Sequence, residues 1–308
     1  MDKQVKAVII AIAVIIPISA IIVWNSNQSI SLPVTSTNEQ KIIAITSFYP
    51  LYEFTKQVGK EKVDASILVP FGAEPHDWEP TVKDLQKLQQ ADLVVINGVG
   101  FENWVHDFES IESNAVIVDT STDISIIKTL DDHDEHESVG DPHIWLNPVM
   151  VKKQVENIAN ALMEIDPSNK EYYNTNADSY IAKLDSLDKK IKEELSQCAK
   201  KDFIAFHSAF TYFADQYGLK QHTILESNEP QAEPTATNLE NIIKLAKNLE
   251  INVIFTEEAV DVRTSEVIAK EIGGRVLVLS PVEIGDENTD YIEKMEQNLL
   301  HLKEALCN

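Results

Sequence analysis

Between Ser168 and Cys198 the chain runs for 31 residues with neither Gly nor Pro. Within that stretch Tyr173, Ala177, Tyr180, Leu184, Leu187, Ile191 and Leu195 recur at three- and four-residue spacing. That spacing is the period of one helix face. Asp166-Pro167-Ser168 provides a helix start, with Ser168 as candidate N-cap. A helix of about 30 residues spans ~45 Å, so the rest of the chain must be arranged around it. A coiled-coil strand is the competing reading, but the flanking sequence argues otherwise.

On both sides the pattern alternates. Short apolar runs rich in Val and Ile read as buried parallel strands: Ile42–Thr46, Val63–Val69, Leu93–Asn97, Ala115–Asp119, Phe203–Phe206, Val253–Thr256 and Val276–Leu279. Helical segments lie between them at Leu51–Gly59, Thr81–Ala91, Phe101–Glu109, Ala209–Tyr217, Thr235–Leu249, Ser265–Ile272 and Asp290–Leu306. Such alternation predicts an α/β fold with mainly parallel sheets. The expected division is an N-terminal α/β lobe over residues 41–167, a rigid linker helix over 168–198 and a C-terminal α/β lobe over 199–308. A helix resists bending better than a loop does, so large lobe closure is not expected.

The N-terminus sets the compartment. Residues 7–24 read AVIIAIAVIIPISAIIVW, 18 residues without a charge, preceded by Lys3 and Lys6. This length is near the lower limit for a membrane span, and the two Lys keep their side cytoplasmic. Residues 1–24 are therefore expected to be a membrane anchor or a signal segment. The run exceeds a typical signal core and lacks a clear cleavage site, which favours the anchor. Residues 25–40 are polar and aperiodic and read as a flexible tether. Either way the remainder is exported. Asn27-Gln28-Ser29 is a weak glycosylation sequon.

Composition narrows the partners. The formal net charge is −24, which repels phosphate backbones, argues against nucleic acid and suits the attraction of cations. Two Cys, at 198 and 307, exclude a disulfide-dense scaffold and any Cys-only zinc module. Their pairing with one another is left open, because sequence does not give the distance between them. A single copy of the chain is the expected functional unit.

Three of the eight His stand out by placement. His76 lies in Glu74-Pro75-His76-Asp77-Trp78-Glu79-Pro80, after a predicted strand. His143 lies in Asp141-Pro142-His143-Ile144-Trp145-Leu146-Asn147-Pro148, and His207 ends the run Phe203-Ile204-Ala205-Phe206. Ligands of open α/β sheets sit beyond the carboxyl ends of the strands. Glu283, in Ser280-Pro281-Val282-Glu283, follows its strand in the same sense. Three imidazoles and a carboxylate make an N/O set suited to Zn²⁺. The alternative is four unrelated loop residues. Asp141, Asp77 and Glu74 are candidate partners for the ring nitrogens, by proximity in sequence. Paired acids such as Glu257-Glu258 read as surface charge, with Glu257 near the cleft. His106, His222 and His301 read as structural or surface residues.

These motifs carry a resemblance. Phe48-Tyr49-Pro50-Leu51 and the stretch from Val69 to Pro80 closely resemble the zinc- and manganese-binding solute receptors of ABC transporters, the ZnuA/TroA-like family. The likeness continues through Asn97-Gly98 with Trp104, through residues 141–148, His207-Ser208-Ala209-Phe210, Tyr217-Gly218-Leu219, Glu233-Pro234, Phe255-Thr256-Glu257 and the turn at Ser280–Glu283. It covers roughly residues 41–306. The resemblance implies two lobes joined by a long backbone helix, with metal bound in the cleft by His76, His143, His207 and an acid at Glu283. Manganese-type members tend to carry a carboxylate at the third position, so His207 favours zinc over Mn²⁺. Leu130–Glu137 is an acidic loop with His133 and His136, of a kind zinc-type members often carry, and reads as a weak accessory metal loop or as solvated charge.

The implied function is that of an extracytoplasmic receptor, not an enzyme. It captures Zn²⁺ and delivers it to a membrane permease driven by a cytoplasmic ATPase. Two other classes compete with it. A zinc hydrolase needs an open coordination position and has no HExxH here. A metal-dependent surface adhesin is the other, since some family members have been described as adhesins.

Overall fold

The computed structural model describes residues 40–110, 112–128, 140–225, 230 and 233–307. The apolar run at 7–24, the tether as far as residue 39, and His133 and His136 lie outside these residues. Among the described residues no helix is long and apolar enough to cross a membrane.

Two four-stranded sheets are present among the described residues, and both are parallel throughout. The first contains β1 (Ile42–Thr46), β2 (Val63–Ile67), β3 (Leu93–Ile96) and β4 (Val116–Asp119), in the order β2-β1-β3-β4. The second contains β5 (Asp202–Ala205), β6 (Lys220–Thr223), β7 (Val253–Thr256) and β8 (Arg275–Val278), in the order β6-β5-β7-β8. The central strands are apolar on both faces because helices cover both; all four residues of β3 and of β7 are buried. In each sheet the chain steps to one side of its first strand and then to the other. That reversal opens a crevice at the carboxyl ends of β1 and β3, and of β5 and β7.

The helices that follow the first-sheet strands are α1 (Tyr49–Gly59), α2 (Val82–Leu88) and α3 (Val105–Glu109); α4 (Pro148–Ile165) comes after β4 and a short 3₁₀ turn at Ile144–Leu146. The long helix α5 covers Lys170–Ser196, 27 residues, after a 3₁₀ turn at Pro167–Asn169. Its seven apolar residues of the 3–4 pattern are all buried. They belong to one continuous core with Leu93 and Val95 of β3, and Phe203 and Phe255 of β5 and β7. A side chain of that size contributes roughly 1.5–3 kcal/mol on burial, so α5 is fixed to both sheets along its length. The second half adds α6 (Thr211–Tyr217), α7 (Ala236–Asn248), α8 (Arg263–Ile272) and α9 (Tyr291–Leu306).

Several sequence expectations need correction. Ser168 does not cap the long helix; it lies within the 3₁₀ turn, its hydroxyl donates to Asp166, and Asn169 takes the cap position. Helix α3 begins at Val105 rather than Phe101, because the residues before it form the turn that Glu102 ties together. Two elements lacked a sequence prediction. Helix α4 has the signals of one: Asn147 accepts the Val149 N–H at 2.9 Å, Pro148 opens the helix, and Val151, Val155, Ile158 and Leu162 form its buried stripe. Strand β6 has none. Lys220-Gln221-His222-Thr223 is polar and sits at the sheet edge, where no apolar run is required.

The two cysteines are joined. Cys198 follows α5 and Cys307 follows α9, with Cα atoms 4.2 Å apart. Cys198 lies four residues before the start of β5, the end of that strand opposite the one that His207 follows.

Candidate metal centre

His76, His207 and Glu283 follow strands, His143 caps the 3₁₀ turn that leads into α4, and the fold brings all four together. One ligand atom from each of His76, His143, His207 and Glu283 lies within 4.8 Å of the others. His76 Nε2 is 3.2 Å from Glu283 Oε1, His143 Nε2 is 3.7 Å from it, and His207 Nε2 is 3.9 Å from it. His143 Nε2 and His207 Nε2 are 3.3 Å apart. A regular tetrahedron with zinc–nitrogen bonds of ~2.05 Å has edges of about 3.3 Å. The donors therefore already stand near the corners of such a figure. His143, His207 and Glu283 are buried, and His76 is the partly exposed member.

The local sequence explains each position. In the motif at 141–148, Asp141 Oδ1 accepts both the His143 backbone N–H at 3.0 Å and the ring Nδ1 proton at 2.7 Å. That leaves Nε2 as a lone-pair donor facing the cluster. The Asn97 amide holds the Pro142 carbonyl at 2.9 Å, and Asn147 starts α4 four residues beyond the His. His207 repeats the device from the other lobe: Glu257 accepts its Nδ1 proton at 2.7 and 2.8 Å and its backbone N–H at 3.2 Å. His76 is placed by Glu74, which accepts its backbone N–H at 3.2 Å, and by Phe101, whose ring meets the imidazole edge-on at 5.0 Å. Phe101 in turn is held by the adjoining buried Glu102, which accepts from Ser47 Oγ and from the Asn97 and Gly98 N–H groups.

Glu283 follows a gripped turn. Ser280 exchanges two hydrogen bonds with the Asn298 side chain, at 2.8 and 2.7 Å, and donates to Glu258 at 2.8 Å. Gly285 lies where any Cβ would enter the Tyr49 ring, so the exit from this turn passes flush against α1.

Burial and charge tune the donors. Burial pushes His143 down to about 4, against the opposing pull of Asp141, so it is neutral and ready to ligate at neutral pH. Burial would also lower His207, but Glu257 outweighs it and the net shift is upward. Burial lifts Glu283 to about 8, with His207 opposing. Burial and the Glu283 charge lift Glu74 to about 7. Two imidazole lone pairs and a buried carboxyl oxygen directed at one point form an arrangement that a cation satisfies.

Of the proposed ring partners, Asp141 takes that role, Glu74 binds His76 through the backbone, and Asp77 is exposed. Glu257 is the residue the sequence reading undervalued. It is buried, with 6% exposure, and it is no surface charge. The signal that selected His207 applies equally to it, since it is the first residue after the buried strand β7. His222 bonds Asp202 at 2.8 Å and His301 bonds the Val278 carbonyl, both away from the cluster.

Comparison with known proteins identifies the family. The family described as "Zinc-uptake complex component A periplasmic" matches residues 45–305. The high-affinity zinc uptake system protein ZnuA of Bacillus subtilis (strain 168) is 42% identical over 283 residues, covering 86% of this chain and 88% of that protein. The zinc-binding lipoprotein AdcA of Streptococcus pneumoniae (strain ATCC BAA-255 / R6) is 37% identical over 86% of this chain, which spans 56% of AdcA. The crystal structure of the Zn(II)-bound ZnuA-like domain of Streptococcus pneumoniae AdcA superposes with a TM-score of 0.76 at 36% identity, covering 87% of this chain and all of that domain. With an α/β fold of two parallel sheets, a long linking helix and a His₃Glu cluster between them, the chain belongs to the ZnuA family of zinc-uptake components.

Proposed function

We propose that this protein is an extracytoplasmic receptor that captures Zn²⁺ with His76, His143, His207 and Glu283 and delivers it to an ABC-type importer, a permease with its ATPase. The observation that carries the reading is the convergence of three Nε2 atoms and one carboxylate oxygen, from both halves of the chain, within 4.8 Å. Imidazole-rich four-donor sets at tetrahedral spacing suit Zn²⁺, whereas Mn²⁺ prefers six mainly oxygen donors. The fourth donor closes the shell, which leaves no position for an activated water and argues for carriage rather than hydrolysis. Zinc is cargo here, and no bond in a substrate changes.

The remaining assignments belong to the same proposal. Residues 1–24 tether the protein to the membrane and 25–40 form the leash. Lobes at 41–167 and 199–308 flank the helix at 168–198, and a single copy suffices, since both halves of the site come from one chain. His133 and His136 form a weak collecting loop. Metal analysis of protein purified without added metal tests the central claim. About one tightly held Zn²⁺ per chain is expected, and Mn²⁺ in its place overturns the specificity.

A further inference from the structure

Trp145 touches one of the four donors, His143, and the supports of two others, His76 and Glu283. Its ring is fully buried, lies 5.1 Å from the His143 ring, and lies 5.2 Å from Phe101, the residue against which His76 rests. Its indole N–H donates to the Pro281 carbonyl at 2.8 Å, and its own carbonyl accepts from the Tyr291 hydroxyl at 2.7 Å. The turn that carries His143 is thereby fastened to the turn that carries Glu283, 136 residues further along the chain.

The fastening matters because of Val282. This β-branched residue is fully buried with φ of +59°, in the left-handed region that such side chains avoid. The peptide between Pro281 and Val282 is pinned at both ends: its oxygen by Trp145, and its N–H by Ser280 Oγ at 3.1 Å. Rotation of that peptide would relieve Val282 and swing the next residue, Glu283, away from the imidazoles. Of the two pins only Trp145 comes from the first lobe. We infer that Trp145 is a positioning residue for Glu283, its indole N–H holding the strained 281–282 turn so that the carboxylate faces the three imidazoles before the ion arrives. This inference rests on the proposed reading of Glu283 as a ligand. A donor set fixed in advance at tetrahedral spacing accepts a four-coordinate ion and resists one that needs the turn to move.

A double-mutant cycle on the full chain tests it, with Zn²⁺ affinity measured by chelator competition and Co²⁺ absorption reporting coordination geometry. Trp145→Phe retains an aromatic ring and removes the N–H. Loss of such a support weakens metal binding by about 10–100-fold, and the intense tetrahedral Co²⁺ bands should fall with it. In a Glu283→Ala background the same substitution should cost little more, because the residue it positions is gone. Equal losses in both backgrounds, or wild-type affinity in Trp145→Phe, would overturn the inference. If Trp145→Phe does not fold, Tyr291→Phe decides by the same cycle, with a smaller loss that must vanish in Glu283→Ala; an equal loss in both backgrounds again overturns it. Glu283→Ala alone distinguishes the two claims. If it leaves Zn²⁺ affinity unchanged, the ligand reading falls and takes this inference with it; if it weakens affinity while the cycle is additive, only the role of Trp145 is lost.

Discussion

Replacing Glu257 separates what the tertiary structure adds from what the motifs alone suggest. Its carboxylate accepts the His207 Nδ1 proton at 2.7 and 2.8 Å and is itself buried. When Nε2 binds a cation, the Nδ1 proton becomes more acidic and its bond to the carboxylate strengthens, so the support acts more on the metal-bound form than on the free one. Glu257→Ala should weaken Zn²⁺ binding by about 10–100-fold, or roughly 1.4–2.7 kcal/mol. Glu257→Gln keeps an acceptor and the tautomer but loses the charge, and should fall toward the smaller end. The pH dependence sharpens the test. Glu257 raises the proton affinity of His207, so in the wild type a proton competes with the metal at acid pH. Removing the carboxylate weakens that competition, which offsets part of the loss below the wild-type His207 pKa and none of it well above. The ratio of wild-type to variant affinity should therefore be largest at alkaline pH and shrink as the pH falls. Competition titration with a chromophoric chelator at several pH values measures it. An unchanged affinity in Glu257→Ala, or a loss that grows with acidity, would refute the reasoning.

Three other outcomes follow from the structure. Glu283 is raised by burial to about 8, so at pH 7 the metal-free protein holds a proton there that the unfolded chain has already lost. Zinc binding should release it, seen as a buffer-dependent calorimetric enthalpy at pH 7 that disappears by pH 9 and is smaller in Glu283→Gln. By the same linkage, this carboxyl makes the metal-free protein less stable as pH rises from about 4.5 to about 8, and contributes no such loss below that window. Finally, Cys198 and Cys307 close a long loop at the end of the second sheet away from the cluster. Replacing both by Ser should lower stability by about 2–5 kcal/mol in chemical denaturation and leave zinc affinity unchanged.

The legible part of this protein was whatever depends on local chain chemistry. Apolar runs flanked by turns gave seven of the eight strands among the described residues; in the central strands β3 and β7, burial on both faces leaves little freedom of composition. The seven-residue stripe of α5 gave the linker helix for the same reason. Strand β6 escaped because, unlike the other edge strands, all four of its residues are polar. Helix α4 was legible in its cap and its periodicity, yet its start was overshadowed by the His143 motif that shares residues 147 and 148 with it.

For the site, sequence selected His76, His207 and Glu283 by their places beyond strand ends, His143 by its Pro-flanked motif, and all four by family likeness, because a ligand's residue type and its immediate turn are local properties. Whether four turns spread over 208 residues meet at one point is not local. It depends on two sheets of the same strand order facing their crevices toward each other across a shared core. Only that packing separates buried Glu257 from its neighbour Glu258, which instead pairs with Lys294 at 2.6 Å. Only that packing carries the Trp145 indole to Pro281. The sequence determined which chemistry the chain holds; the tertiary structure decided which carboxylates and hydrogen bonds reach it, because burial and distance are properties of the folded surface and not of neighbouring residues.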